Sequence, residues 1–236
     1  MDAIDHAVSI GARVTNNSNQ YAIASGAIES AYAQSRAMGL VHFASAGNFA
    51  VRVSTYPASL PTVNSIGAVD RTGSLASFSN FGTTLFATAP GEEIITTDRV
   101  GSDGQAEGDY TAVDGTSFAS PYAAGVAALV LSLDPSLEAA EVEAILAETA
   151  ADYGAPGFDA VFGWGLLNAR AAVERATGGC DADLAAPYGI LDLADVQGFL
   201  SFFLNEEPGA DFAEPFGILD LSDVTSFASA FIAGCP

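Results

Sequence analysis

The chain contains, at residues 115–133, the stretch GTSFASPYAAGVAALVLSL. Apolar residues dominate it from Ala119 onward, which predicts a helix over residues 116–133. The first backbone N–H groups of a helix have no intrahelical partner, and the helix dipole favours negative charge at this end. An oxyanion that formed beside Ser117 would be stabilised there. Serine and threonine at a helix start are also ordinary caps, and this alternative stays open for Ser117 taken alone.

A second motif comes earlier in the chain, at residues 44–48, and reads ASAGN. Here a predicted buried strand ends in a glycine turn that presents the amide of Asn48. An asparagine at the carboxyl end of a strand can donate a side-chain N–H to a developing oxyanion. By itself Asn48 is an ordinary turn residue. Together with Ser117 it forms a candidate catalytic site.

Helical and extended patterns alternate through the first three quarters of the chain. The predicted strands lie at residues 12–18, 40–46, 64–69 and 83–88, and the predicted helices at residues 2–11, 24–39, 116–133 and 136–150. A strand, a helix and a further strand in succession indicate a right-handed crossover and a parallel sheet. The predicted class is therefore α/β. Residues 98–114, rich in acids and glycine, are expected to form a solvated loop, with a calcium loop as the alternative.

Composition and charge exclude several classes of partner. The chain has 7 basic residues, all arginine, and 29 acidic ones, for a formal net charge of −22. Nucleic acids and anionic membranes repel such a charge, so we expect neither as a partner. The longest apolar stretch, residues 123–131, is shorter than the roughly 18 residues that span a bilayer. The first residues also lack the cationic and apolar pattern of an export signal.

A domain boundary is predicted at residues 177–180 (TGGC), a turn-forming string that follows a helical pattern. All the basic residues precede it, whereas 10 acids and no base follow it. We therefore predict a first domain at residues 1–178 and a small α-helical domain at residues 180–236.

The predicted second domain contains an internal repeat. Residues 182–203 and 210–231 are identical at 14 of 22 positions. Each unit is predicted to be a short loop followed by a helix, and Val196, Phe199 and Phe203 share one face of the first helix. We expect the two units to pack face to face.

The order and identity of the motifs in the first domain resemble the C-terminal half of the subtilisin-like serine proteases, the subtilases. The resemblance runs from about residue 3 to residue 173 and is specific because many short strings occur in a fixed order. The strings are residues 11–18 (GARVTNNS), 44–48 (ASAGN), 56–58 (YPA), 65–69 (SIGAV), 76–82 (ASFSNFG), 89–91 (APG), 114–121 (DGTSFASP) and 162–169 (FGWGLLNA). It implies an incomplete three-layer α/β domain on a parallel sheet and a serine endopeptidase that cleaves polypeptide substrates.

The resemblance also implies roles for individual residues. Ser117 would be the nucleophile, and Asn48 would donate to the oxyanion. Ser18, at the end of the first strand, and the turn at Ala46 and Gly47 would line the groove in which the substrate lies extended as an added strand.

The sequence departs from the family in several places. Residues 19–21 (NQY) stand where a bulky residue and a glycine are usual, and Tyr122 stands where a histidine is common. The Asp and His of the catalytic triad have no counterpart, and the two histidines present, His6 and His42, are expected to be surface or core residues. We therefore expect a fragment of a longer secreted protease, with a catalytically inactive, protease-derived binding or attachment protein as the alternative.

The repeats of the second domain resemble the loop–helix units of dockerin domains, which bind calcium through an EF-hand-like loop and attach enzymes to a partner. The match is partial, because alanine and proline occupy positions where further ligands are expected. Carboxylates at a helix start also favour the helix without a metal. The resemblance implies attachment to a scaffold or cell surface. The candidate calcium ligands are Asp183, Asp192 and Asp195 in the first repeat, and Asp211, Asp220 and Asp223 in the second.

Cys180 and Cys235 are the only cysteines, and they bracket the second domain. A disulfide between them would close a loop of about 56 residues and stabilise the domain by a few kcal/mol. Such a bond predicts an oxidising, extracellular or cell-surface location. Two unrelated buried thiols are the alternative.

Overall fold

A computed structural model of the chain describes residues 2–177, 184, 193–205, 210 and 219–233. The chain divides into two units, Met1–Val173 and Glu174–Pro236. The residues around the predicted domain boundary, 178–183, lie outside the described part.

A four-stranded parallel sheet forms the centre of the first unit, with its strands in the order β1-β2-β3-β4. The strands are β1 Val14–Asn17, β2 Val41–Ser45, β3 Asn64–Val69 and β4 Leu85–Pro90, so all four predicted strands are confirmed to within two residues. Every residue of β2 and β3 is buried, as expected for strands of a parallel sheet covered on both faces. Parallel pairing also gathers the carboxyl ends of the four strands at one edge of the sheet.

Helices surround this sheet. They are α1 Asp2–Ser9, α2 Gly26–Ala37, α3 Thr116–Leu133 and α4 Ala139–Glu148, and α5 Ala169–Ala176 follows near the end of the unit. Helix α3 packs against all four strands. Its alanines at 119, 123 and 127 are fully buried, and such small side chains let the helix approach the sheet closely.

Helix α3 is long and apolar enough to cross a membrane by length and composition alone. Its buried face is occupied by the sheet, however, and the helix is the core helix of the first unit. The Ala-Pro-Gly string at residues 89–91, where β4 ends, allows this close packing. A side chain at Gly91 would place its Cβ 2.6 Å from the Ala68 Cβ and 2.9 Å from the Gly115 carbonyl oxygen, so only glycine fits beside the start of α3.

Helix α4 begins later than predicted, at Ala139 instead of residue 136. The Asp134 carboxylate accepts hydrogen bonds from the Ser136 backbone N–H and hydroxyl, which holds residues 134–136 in a turn. Glu138 and Glu141 then form a capping box. This reciprocal cap fixes the first turn of α4 at Ala139.

The predicted solvated loop at residues 98–114 is wrong at its C-terminal end. Residues Tyr110–Val113 form β6, which pairs antiparallel with β5 Ile94–Thr97. Both strands alternate between half-buried and exposed residues, the pattern of a hairpin covered on one face. The intervening residues do form a loop, in which Asp98 accepts hydrogen bonds from the backbone N–H groups of Gln105 and Ala106.

In the second unit, the described residues contain two helices, α6 Leu193–Leu204 and α7 Leu221–Ala233. The rings of Phe199 and Phe227, which are equivalent in the two repeats, stack with centroids 4.2 Å apart and an interplanar angle of 9°. Val196 and Phe203 pack against the same buried cluster. This arrangement confirms the predicted apolar face and the face-to-face packing of the repeats.

Candidate active site

Ser117 is the second residue of α3, at the sheet edge where the parallel strands end. Its side chain is half-buried, and its Oγ lies 3.5 Å from the Ser18 carbonyl oxygen. Gly115, the residue before the helix, has a φ of 153° and donates its N–H to the Gly91 carbonyl at 2.8 Å. The tight turn therefore anchors the start of the helix to the end of β4.

Asn48 lies beside this helix start. Its Oδ1 accepts two hydrogen bonds from Thr116, one from the backbone N–H at 2.9 Å and one from the hydroxyl at 2.8 Å. Because the oxygen of the amide faces Thr116, its NH2 group points the other way, and Asn48 itself is exposed. The structure thus places Asn48 against Thr116, the residue before Ser117. Asn48 and Ser117 are 69 positions apart in the sequence.

Thr116 is the link between the two motifs, and sequence reasoning gave it no role. It is fully buried, and its hydroxyl accepts a hydrogen bond from the Gly47 N–H at 3.1 Å while donating to Asn48. The threonine therefore fixes both the turn and the orientation of the amide. In the sequence, only its position between Gly115 and Ser117 indicated that Thr116 belongs to the site.

A second set of contacts joins the end of β1 to the first turn of α3. The Ser18 hydroxyl donates to the Ser117 carbonyl at 2.9 Å, and the Ser120 hydroxyl donates to Asn16 Oδ1 at 2.6 Å. The Asn16 amide NH2 in turn donates to the Ser18 hydroxyl at 3.1 Å. These bonds form a continuous polar chain beside Ser117, and only Ser18 was predicted to belong to the site.

The backbone of the turn at Ala46 and Gly47 is already engaged within the chain. The Ala46 N–H donates to the Ile66 carbonyl at 3.0 Å, and the Gly47 N–H donates to Thr116. These two donors are therefore already used within the chain and are not offered to a peptide placed against this turn.

The segment after Ser18 folds back on the protein. The Asn19 N–H donates to Asn17 Oδ1 at 2.9 Å, and the Tyr21 N–H donates to the Tyr56 carbonyl at 2.9 Å. The Tyr21 and Tyr56 rings also meet edge to face, with centroids 6.3 Å apart. The departure from the family sequence at residues 19–21 therefore corresponds to a loop in which the backbone donors of Asn19 and Tyr21 are used internally.

Neither histidine has a contact with Ser117. His42 is fully buried in β2, where its Nδ1 and Nε2 bond to the hydroxyls of Thr15 at 2.6 Å and Ser35 at 2.9 Å. Burial, with a smaller effect of the Arg36 charge, lowers the pKa of His42 to about 4, so the ring is neutral at pH 7. His6 is exposed on α1. Both residues match the expectation of core and surface histidines.

In the part of the chain that the structure describes, no group of three or more histidines, cysteines or acids is placed to hold a metal ion. Of the six candidate calcium ligands, Asp195, Asp220 and Asp223 are described. Asp195 and Asp223 are buried at the starts of α6 and α7, and Asp223 accepts the backbone N–H of Asp220 at 2.8 Å. This contact is the one expected of a carboxylate at a helix start. Asp183, Asp192, Asp211 and the cysteines 180 and 235 lie outside the described residues.

Comparison with known sequences gives one family for the first unit. Residues 1–165 match the sequence model of the Subtilase family. Subtilisin DY of Bacillus licheniformis is 36% identical over 178 residues, which cover 74% of this chain and 61% of that protein. An extracellular protease of Xanthomonas campestris pv. campestris is 42% identical over 137 residues, or 57% of this chain and 23% of that protein. The chain thus spans less than two thirds of the length of these relatives.

Solved structures show the same fold. A lanthipeptide protease superposes with a TM-score of 0.64 at 28% identity, covering 74% of this chain and 64% of that one. A psychrophilic subtilisin-like protease of Pseudoalteromonas sp. AS-11 gives a TM-score of 0.67 at 21% identity, over 75% of this chain and 74% of that one. The parallel sheet and its covering helices are those of a subtilisin-like α/β fold.

Proposed function

The chain belongs to the Subtilase family, and on that premise we propose that it carries the nucleophile and the oxyanion-binding half of a serine endopeptidase active site. Support comes from one arrangement, the two hydrogen bonds that Thr116 donates to Asn48 Oδ1. They turn the amide NH2 of Asn48 outward beside Ser117. Such a preorganised donor lowers the free energy of an oxyanion in the transition state.

In the proposed reaction, Ser117 Oγ attacks the carbonyl carbon of a peptide bond and its proton passes to a general base. The carbonyl oxygen becomes an oxyanion, which accepts hydrogen bonds from Asn48 Nδ2 and the Ser117 N–H. At the second position of a helix that N–H has no intrahelical acceptor. The C–N bond then breaks, the leaving amine takes a proton, and water hydrolyses the acyl-enzyme.

We assign the general base to a residue outside this sequence. The sequence has two histidines, and the contacts of buried His42 and the exposure of His6 suit neither to the role. A serine without its base is a weak nucleophile. In subtilisin, loss of the triad leaves an acceleration of about 10³–10⁴ over the uncatalysed reaction, supplied by the oxyanion hole and by binding. A residual reactivity of Ser117 is therefore expected in this chain.

For the second unit we propose attachment to a scaffold or cell surface, in an extracellular setting. The paired repeat helices and the stacked Phe199 and Phe227 support a separate small unit, and one relative of the chain is named an extracellular protease. A disulfide between Cys180 and Cys235 and a dockerin-like role for the repeats stay predictions, as does calcium at the repeat loops.

The proposed nucleophile can be tested on the full chain with a fluorophosphonate probe, with imidazole added as an external base. Peptide mass mapping is expected to place the label on Ser117, and Ser117→Ala should abolish it. Asn48→Ala should slow labelling; loss of the corresponding donor in subtilisin costs about 10²–10³ in kcat. Ser132→Ala is the matched control, because Ser132 lies exposed on the same helix, and it should label like the wild type.

Two results would contradict the proposal. Equal labelling of Ser117 and Ser132 would show that the site does not activate its serine. Failure of the wild type to label at all would favour the non-catalytic binding role.

A further inference from the structure

One buried side chain, that of Asn80, holds the turn that presents Asn48. Asn80 lies between β3 and β4 and is fully buried. Its amide NH2 donates to the Ala46 carbonyl at 3.0 Å, and its Oδ1 accepts from the Phe49 N–H at 2.9 Å and the Val51 N–H at 3.3 Å.

The backbone of Asn80 extends this contact. Its N–H donates to the Gly47 carbonyl at 2.9 Å. Asn80 therefore bonds to Ala46 and Gly47 before Asn48, and to Phe49 and Val51 after it. Of the four residues within two positions of Asn48, three bond to Asn80, and the fourth is Ala50.

Ala50 instead bonds to a neighbour of Asn80, and its conformation shows how firmly the turn is held. Its N–H donates to the Phe78 carbonyl at 2.9 Å. Its φ is 54°, in the left-handed region that a residue with a Cβ adopts at an energetic cost. Such a conformation persists where the surrounding contacts determine it.

The contact also explains a sequence requirement. A Cβ added at Gly47, where φ is 111°, would lie 2.5 Å from Asn80 Nδ2 and 2.6 Å from Thr55 Cγ2. The Asn80 amide therefore packs directly against the turn at Gly47 and leaves no room for a side chain there. A side chain of this length that carries both a donor and an acceptor is needed here. It bonds to the Ala46 carbonyl before Asn48 and to the Phe49 and Val51 N–H groups after it.

We propose that Asn80 is a positioning residue for oxyanion stabilisation, acting through Asn48. The inference rests on the proposed function. Thr116 fixes the Asn48 side chain, and Asn80 fixes its backbone, so the outward NH2 group has a single location. A displacement of a catalytic donor by about 1 Å can cost about 100-fold in rate, so an effect of about 10- to 100-fold is expected when Asn80 is removed.

The test is a double-mutant cycle on the full chain, read out as the rate of fluorophosphonate labelling of Ser117. Asn80→Ala should slow labelling about 10- to 100-fold in the wild-type background and have no effect in the Asn48→Ala background. Ser79→Ala is the matched control. Ser79 is equally buried but accepts the Ala68 N–H and donates to the Asn80 carbonyl, without a bond to the turn. It should lower stability and leave the labelling rate of folded protein unchanged.

A second measurement needs no labelling. In ¹H–¹⁵N spectra, the side-chain amide pair of Asn48, assigned by its loss in Asn48→Ala, should shift or broaden in Asn80→Ala and stay in place in Ser79→Ala. If Asn80→Ala does not fold, Asn80→Ser, which keeps a hydroxyl but lacks the reach, replaces it in both experiments.

The outcomes separate the two proposals. Equal slowing by the Asn80 variant in both backgrounds, or an unmoved Asn48 amide signal, would overturn the positioning role. A wild-type chain that does not label would overturn the proposed function, and the amide signal would then decide the role of Asn80.

Discussion

The hydroxyl of Ser18 donates a hydrogen bond to the backbone carbonyl of Ser117 across 99 positions of sequence. In an uninterrupted helix this carbonyl would accept the N–H of the residue four positions later. That residue is Pro121, which has no N–H. The proline thus frees the carbonyl of the proposed nucleophile for a partner on β1.

This relationship predicts the stability of three variants. Ser18→Ala leaves the Ser117 carbonyl without either partner and should lower the free energy of unfolding by about 1–2 kcal/mol. Pro121→Ala supplies a helical donor, so Ser18→Ala should cost less in that background. Urea unfolding followed by Trp164 fluorescence measures both effects, since Trp164 is the single tryptophan and lies in the first unit. Equal losses in the two backgrounds would contradict the link between residues 18 and 121.

A second prediction concerns Thr116. Thr116→Val preserves the shape of the side chain but removes the hydroxyl that donates to Asn48 and accepts from Gly47. The Asn48 amide then keeps only the bond from the Thr116 backbone N–H and is held less firmly, so the labelling rate of Ser117 should fall about tenfold, the equivalent of one hydrogen bond of roughly 1.4 kcal/mol. Thr116→Ser keeps the hydroxyl and serves as control. A valine variant as reactive as the serine variant would show that the hydroxyl does not orient Asn48.

His42 makes stability depend on pH. Its pKa is lowered from 6.5 to about 4 in the folded state, so between these values the unfolded chain binds a proton that the folded chain does not. Stability from this residue is therefore fully present above about pH 6.5 and is lost as the pH falls toward 4, by about 3 kcal/mol in all. His42→Gln, which bonds without titrating, should flatten this part of the profile. Unfolding free energies at pH 7 and 4.5 measure the difference, and identical profiles for the two proteins would refute it.

The sequence allowed the meeting of Asn48 and Ser117 to be predicted because each residue belongs to a short local motif at the end of an element. Parallel strands bring such ends to one edge. The resemblance to the subtilases added the order of the motifs. Residue types and local periodicity predicted the elements, and the resemblance implied the roles of the two residues.

The role of Asn80 could not be predicted in the same way. Its string, residues 76–82, contributed to the family resemblance, yet an asparagine before Phe-Gly is typical of any turn. Its contacts depend on how the segment after β3 passes beneath the turn after β2, which is a property of the packed fold. The hairpin β5–β6 was missed for a related reason. Its strands have 4 residues each, too short for periodicity to separate them from the acidic loop between them.

The strand order β1-β2-β3-β4 bears on how the protein assembles during synthesis. Each of these four strands, as it emerges from the ribosome, can add to the free side of the one before it, so this part of the sheet grows in one direction. Helix α3 comes after the four strands in the sequence and packs against all of them in the fold. Ser117, in the first turn of α3, therefore reaches Asn48 only after these four strands have been synthesised.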